Sequence, residues 1–375
     1  MRDIKACQTE MINTIKLLIY KENPDLLERI DFDDDNLFLE PLLFFYFNHK
    51  IENYFSNELL VEIMQGYFLD KQDLEINHSF SSTSSIAYLP KLGYFNKEEP
   101  IPFDKIQMIE NTNIEVFIHP VDLLQNIFKN ISGNILDYSQ IDCSNKLFNK
   151  NINYLTNALS LIKENSKEHF NLIELCCQKI LIFKTDTNNT NSFASINAHG
   201  IVFLNVYQDD YDEVFFVDDI AHQTGHIILT TLFYNRKAIF KINEEQNVED
   251  IIKLKDHRTV YILFHALYTY YATFLCLDDC LKNNKFKEKQ RKEAIARIGF
   301  YLIKCSFDLS RLEEINKFYN GKENVLTLEG IEIYNLIRKK YLEISKKWHI
   351  TTKYYNYNNQ PYNFTMKNFD QSNFN

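Results

Sequence analysis

Three things are missing from this 375-residue sequence, and each closes off a class of function: a Cys-x-x-Cys pair, a block of Lys and Arg, and an apolar segment at the N-terminus. The seven cysteines, Cys7, Cys143, Cys176, Cys177, Cys276, Cys280 and Cys305, are odd in number and scattered. That is the usage of free buried thiols in a reducing cytosol, not of a disulfide framework. Cys276 and Cys280 are four apart on an apparent helix, so they could face one another. Without a basic block, and with a net charge of −10, nucleic acid has no electrostatic support as a partner. An acidic surface suits a neutral or cationic partner and keeps the chain dissolved. Met1-Arg2-Asp3-Ile4-Lys5 holds no h-region, so no signal peptide is read there. No uncharged apolar run is read as approaching the ~20 residues of a membrane span, and no membrane partner is expected. What is present is ordinary globular usage, 45% apolar and 25% charged, long enough for one large domain or two smaller ones. There is no internal repeat.

Apolar periodicity predicts helices over residues 5–20, two more within 36–70, and others over 121–131 and 150–168. Between them, His78–Ser85 reads as a polar loop, punctuated downstream by Pro90, Pro100 and Pro102. Near residue 170 the pattern changes. Lys179–Lys184 is an apolar run of strand length, a turn-rich stretch follows over Thr185–Ser192, and His199–Val206 reads as a second strand. A helix then begins near Asp212. Residues 259–282, 288–319 and 328–347 predict further helices. The Asn- and Tyr-rich tail from 351 shows no periodicity and reads as mobile or draped over the surface. The expected fold is therefore mainly α with a small β-sheet. A helical region spans 1–170, a second region 171–350, and an irregular tail 351–375.

The chemistry is concentrated in His222-Gln223-Thr224-Gly225-His226. Two histidines four apart on a helix place both imidazoles on one face, one turn apart, as a shared metal ion requires. The arrangement is the zincin H-E-x-x-H with Gln223 in place of the Glu. An amide cannot take a proton from a metal-bound water, so ordinary zinc-peptidase chemistry is not expected. Two short strands precede the helix, as in zincins. The second is placed where a strand could pair with an extended peptide.

A metal site needs a third ligand. His257 and His265 both qualify. His265 lies among apolar residues, where an unpartnered imidazole is costly and where a core role is the alternative. His257 lies in a polar segment beside Asp256 and Arg258, where a solvated ring is the simpler reading. Asp218 and Asp219, four and three residues before His222, could support it from behind or serve as helix N-terminal carboxylates. Asp278-Asp279 reads as a solvated helix face. The aromatic residues, 14% of the chain, read mostly as core, with a peptide groove as the alternative.

Taken together, Ala221–His226 and the segment Asp256-His257-Arg258 followed by Thr259–Leu267 with its embedded His265 resemble the α-ketoglutarate-dependent HExxH-type peptide β-hydroxylases. These enzymes modify ribosomally made peptides in bacteria. The resemblance covers roughly residues 180–280. It implies iron(II) held by His222, His226 and His265, α-ketoglutarate and O2 as cosubstrates, a precursor peptide as substrate, and a bacterial cytoplasmic location. Arg258 would be the partner of an α-ketoglutarate carboxylate, a bidentate match for a guanidinium. Ser192 and Ser195 are further candidates for cosubstrate contact. Gln223 and His257, where the family pattern often has Pro, depart from the pattern. A non-catalytic zincin-like peptide-binding module and a zinc hydrolase with a different base are the alternatives.

Overall fold

The computed structural model describes residues 3–53, 55–70, 85–97, 102–130, 133–136 and 138–374. Most of the loop read at 78–85, together with Pro100 and Ile131, lies outside them. The structure is 61% helical, with two small sheets among the described residues, and it divides into two compact units. A sheet unit comprises Lys5–Thr156 and Glu174–Asp210. A helical unit comprises Met1–Ile4, Asn157–Ile173 and Tyr211–Asn375. The division is thus interleaved, unlike the sequential 1–170 and 171–350 regions read from the sequence.

Helices α1 (Ile4–Glu22), α2 (Asp35–Phe38), α3 (Pro41–Asn53) and α4 (Asn57–Met64) open the chain. Five short strands follow: β1 (Ile86–Leu89), β2 (Gly93–Asn96), β3 (Pro102–Asp104), β4 (Gln107–Met108) and β5 (Glu115–Phe117). A mainly helical reading of 1–170 missed them because each is too short to show an alternation. Where a helix was expected over 121–131, the described residues form a 3-10 turn at Asp122–Ile127 and a bridge from Lys129 to Ile135. After α5 (Asn145–Asn165) and α6 (Lys167–Cys176) come β6 (Lys179–Phe183), β7 (Phe193–Ala194) and β8 (Ile201–Asn205).

Strands β1 to β3 form one antiparallel sheet. The other runs β4-β5-β6-β8-β7, with β5, β6 and β8 parallel and every residue of those three buried. Buried parallel strands read as continuous apolar runs, which is why β6 and β8 were legible. Glu115 of β5 sits opposite Lys179 of β6 in the register, and their side chains form a buried ion pair of 2.6 Å. The peptide-pairing role expected of the second strand is corrected here. β8 pairs along its length with β6 and, at Val202 and Phe203, with β7 on the other side, so β7 and not β8 is the edge strand there.

The helical unit contains α7 (Glu213–Leu232), α8 (Val248–Ile252), α9 (Val260–Lys282), α10 (Glu288–Phe318), α11 (Lys322–Val325), α12 (Leu328–Thr352) and α13 (Met366–Asn373). α9 packs against α7, α10 and α12. It is also long and apolar enough to cross a membrane, which corrects the expectation that no such run exists. Its apolar character is accounted for by position, since 72% of its most apolar window is buried inside the protein. Asp278 on this helix is not solvated as expected. It is buried and accepts hydrogen bonds from Trp348 Nε1 at 2.8 Å and Lys347 Nζ at 2.7 Å. Asp279 accepts from Ser166 Oγ. The tail also departs from expectation, because α13 packs Met366 and Phe369 into the core along with Phe364. An eight-residue helix with two anchors is too short to register as periodicity.

Candidate metal centre

α7 begins where Asp212 accepts a hydrogen bond from Val214 N, and α9 where Thr259 Oγ1 accepts from Ile262 N. The two helices approach closely at Gly225, inside the motif. A Cβ at that position would lie 3.2 Å from Thr269 Cα and 3.3 Å from Ala272 Cβ. The missing side chain therefore sets the helix separation that brings His265 of α9 to the histidines of α7.

The ring centroids of His222 and His226 are 5.3 Å apart, and those of His226 and His265 are 4.6 Å apart. Burial pushes all three imidazoles toward the neutral form. It lowers His222 to about 3, with the Lys304 and His265 charges adding to the effect. His226 lies well below its ordinary value, through burial and then its two histidine neighbours. Burial holds His265 at about 4, against an opposing hydrogen bond with the His226 carbonyl. Neutral imidazole is the form that ligates a metal. His222 Nδ1 is buried with no hydrogen-bond partner among the described residues, a state that costs about 1–3 kcal/mol unless something fills it. His265 Nε2 donates to the His226 backbone carbonyl at 3.0 Å. Among the described residues no group of three or more His, Cys, Asp or Glu side chains is arranged to hold a metal ion. The donor set suits a metal in residue type and neutral state, but not yet in arrangement. Completing it requires the His265 ring to turn from the carbonyl.

The carboxylates beside the motif face elsewhere. Asp218 is buried against Arg297 at 2.7 Å, and Arg297 also binds Glu293. Asp219 accepts from Gln223 Nε2 at 3.1 Å, so the amide that replaces the zincin Glu is turned back along its own helix. His257 is exposed and pairs with Glu249 at 3.0 Å, as the solvated reading expects.

Arg258 is already paired. Its guanidinium binds Asp256 through Nε and Nη2, at 2.9 and 2.7 Å, and Asp308 through Nη1 and Nη2, at 3.0 and 2.7 Å. Arg311 joins the same two carboxylates. Tyr270, whose hydroxyl donates to Asp308 at 3.3 Å, has its ring 6.1 Å from that of His222. Arg258 therefore belongs to a structural cluster bordering the histidines. Arg258→Ala is expected to cost about 2–4 kcal/mol in urea unfolding, less than the loss for a fully buried pair because Arg311 stays on both carboxylates. A loss under about 0.5 kcal/mol, the size of an exposed pair, would show the cluster to be inert.

Ser192 and Ser195 lie in the sheet unit. Ser192 Oγ accepts from Asn205 N and Ser195 Oγ accepts from Asn197 N, so both hold the loop before β8. The sequence reading missed a set of residues on α10. Tyr301 lies with its ring 5.7 Å from that of His222, and it shares one face with Arg297, Lys304, Asp308 and Arg311. Their 4-3-4-3 spacing was a visible signal, a polar stripe on a helix that elsewhere buries apolar residues. Lys304 is half-buried, and burial lowers its ammonium to about 8.

No protein-family model matches this chain, and no curated protein matches its sequence.

Proposed function

We propose that this protein is a non-haem iron(II), α-ketoglutarate-dependent dioxygenase that hydroxylates a side-chain β-carbon of a ribosomally made precursor peptide. Its metal would be held by His222, His226 and His265. The observation that carries the proposal is the contact of three half-buried imidazoles from two helices, all held toward the neutral form and one with an orphaned Nδ1. The cosubstrate and the peptide rest on the sequence resemblance. Bound there, iron(II) would supply oxygen activation coupled to the conversion of α-ketoglutarate to succinate and CO2, with one oxygen atom entering the substrate C–H bond. The protein's own part is to keep the imidazoles unprotonated and the ligand cluster shielded from water. The zincin-like likeness is restricted to the HxxxH helix and belongs to the same proposal.

Gln223 fits an oxygenase better than a hydrolase, because building the oxidant needs no carboxylate to deprotonate water. Gln223→Glu is expected to create no peptidase. The new carboxylate would face Asp219 from a position only 5% exposed, at a cost of about 1–3 kcal/mol in urea unfolding. Strong peptide hydrolysis by this variant, without an oxidised product in mass spectra, would favour the hydrolase reading.

A non-catalytic peptide-binding module is the second reading. It is favoured by the engagement of His265 Nε2 with a carbonyl and of Arg258 with two carboxylates. Anaerobic iron(II) loading followed by optical titration with α-ketoglutarate separates the two. A metal-to-ligand charge-transfer band is the expected result. Failure to retain iron would leave the binding-module reading standing.

A further inference from the structure

Where the start of α6 meets α9 and α12, wholly within the helical unit, lies a cavity of about 460 Å³, a size that takes a small molecule. Its walls are apolar. Leu172, Leu275 and Leu336 line it together with Tyr268 and Tyr271, whose ring centroids are 5.6 Å apart. Two polar groups of the lining lack the partner their chemistry calls for.

His169 is the first. It lines the cavity and is 5% exposed, and its Nε2 has no hydrogen-bond partner among the described residues. Burial lowers the imidazole to about 4, so at pH 7 the ring is neutral and offers one acceptor nitrogen beside one donor. A buried nitrogen left unpaired is costly, and a ligand that bonds to it removes the cost. Asp279 is the second. Its neighbour Asp278 is met by the ammonium groups of Lys347 and Lys340, at 2.7 and 4.0 Å. Asp279 is half-buried and accepts a hydrogen bond from Ser166 Oγ at 2.7 Å, yet no cation of the described residues lies within ion-pair distance of it. Ser166 stands three residues before His169, so it ties this carboxylate within one helical turn of the imidazole. Lys167 and Glu168, the other charged residues of the lining, are exposed and cancel in charge. The surplus is one negative charge, on Asp279. Burial pushes the Tyr271 hydroxyl up to about 12, and the Glu168 and Asp279 carboxylates add to the effect, so their field reaches the aromatic wall.

An anion would be opposed by Asp279 and would gain no charge from a neutral imidazole. A neutral molecule would leave the carboxylate unmatched. An ammonium group answers each feature at once. It donates to the carboxylate and to the acceptor nitrogen, and tyrosine rings attract a cation.

We propose that this cavity is a binding site for a small primary amine with an apolar body, its ammonium received by Asp279 and His169 and its hydrocarbon part by the leucines and tyrosines. The site uses none of the α7 histidines and needs no metal.

The test is calorimetric titration of the metal-free full chain with three probes of similar shape, 2-phenylethylamine, 2-phenylethanol and 3-phenylpropanoate. The amine should bind at least tenfold more tightly than the alcohol, and the carboxylate more weakly than either. Asp279→Asn keeps the shape of the side chain and removes its charge. It should bring amine and alcohol to within about threefold of one another. Leu275→Trp fills the cavity with an indole and should abolish amine binding. Circular dichroism shows whether each variant keeps its helices, and the comparison of probes on the unsubstituted protein stands without them. Equal binding of the three probes, or no binding of the amine at millimolar concentration, would overturn the proposal. Unchanged amine affinity in Asp279→Asn or Leu275→Trp would overturn the placement in this cavity. Because no iron is present, each of these outcomes leaves the oxygenase reading as it stood.

Discussion

His226→Ala is expected to abolish stoichiometric iron(II) binding, with affinity falling more than a hundredfold. His226 is the central ring of the three, touching His222 on one side and His265 on the other. Removing it takes one donor and separates the remaining two. Loss of an outer-shell partner alone costs 10–100-fold in metal affinity, so loss of a ligand must exceed that. His265→Ala should approach the same loss. His257→Ala should have no effect, because that ring is exposed and paired with Glu249. Metal analysis after anaerobic loading and desalting checks all three, with circular dichroism to show that the helices persist. Full iron retention in His226→Ala would end the three-histidine assignment, and metal loss in His257→Ala would move the third ligand there.

The second large effect is acid sensitivity of the metal-free protein. Burial lowers His169, His199 and His265 to about 4 and His222 to about 3, and it holds His226 well below its ordinary value. Their folded values lie below the unfolded value of about 6.5, so below that pH the unfolded chain binds protons that the folded chain refuses. Each imidazole therefore contributes stability that is complete above about pH 6.5 and is lost as pH falls toward its folded value. The slope is about 1.4 kcal/mol per pH unit for each ring. Four of the five lie in the helical unit, where the loss reaches up to about 5 kcal/mol per pH unit. A whole domain holds only about 5–15 kcal/mol, so unfolding of that unit is expected between pH 6 and 4. The single tryptophan, Trp348, is buried in the same unit and reports on it. Urea titrations followed by its fluorescence should show a midpoint that falls steeply below pH 6.5. Bound metal should shift the fall to lower pH, since a ligated nitrogen must lose its metal before it is protonated. A midpoint unchanged between pH 7 and 5 would mean that these rings are solvated.

The local pattern by itself determined the long helices and the two central strands. The apolar periods over 259–282, 288–319 and 328–347 became α9, α10 and α12, and Asp212 stands at the start of α7, because helix spacing and caps are written in neighbouring residues. The same holds for His222 and His226 sharing a face. Tertiary structure decided what each charge and ring meets. Arg258 met Asp308, fifty residues away, and the His265 ring met the His226 carbonyl, 39 residues away. β8 acquired a neighbour on each side, and β5 entered the sheet through Glu115 and Lys179, 64 residues apart. Asp278 was drawn inside by Trp348 of α12. Spacing along an element fixes the direction of a side chain, but its partner is chosen by the packing of elements far apart in the chain, where the desolvation of a charge or ring must be met by whatever group arrives.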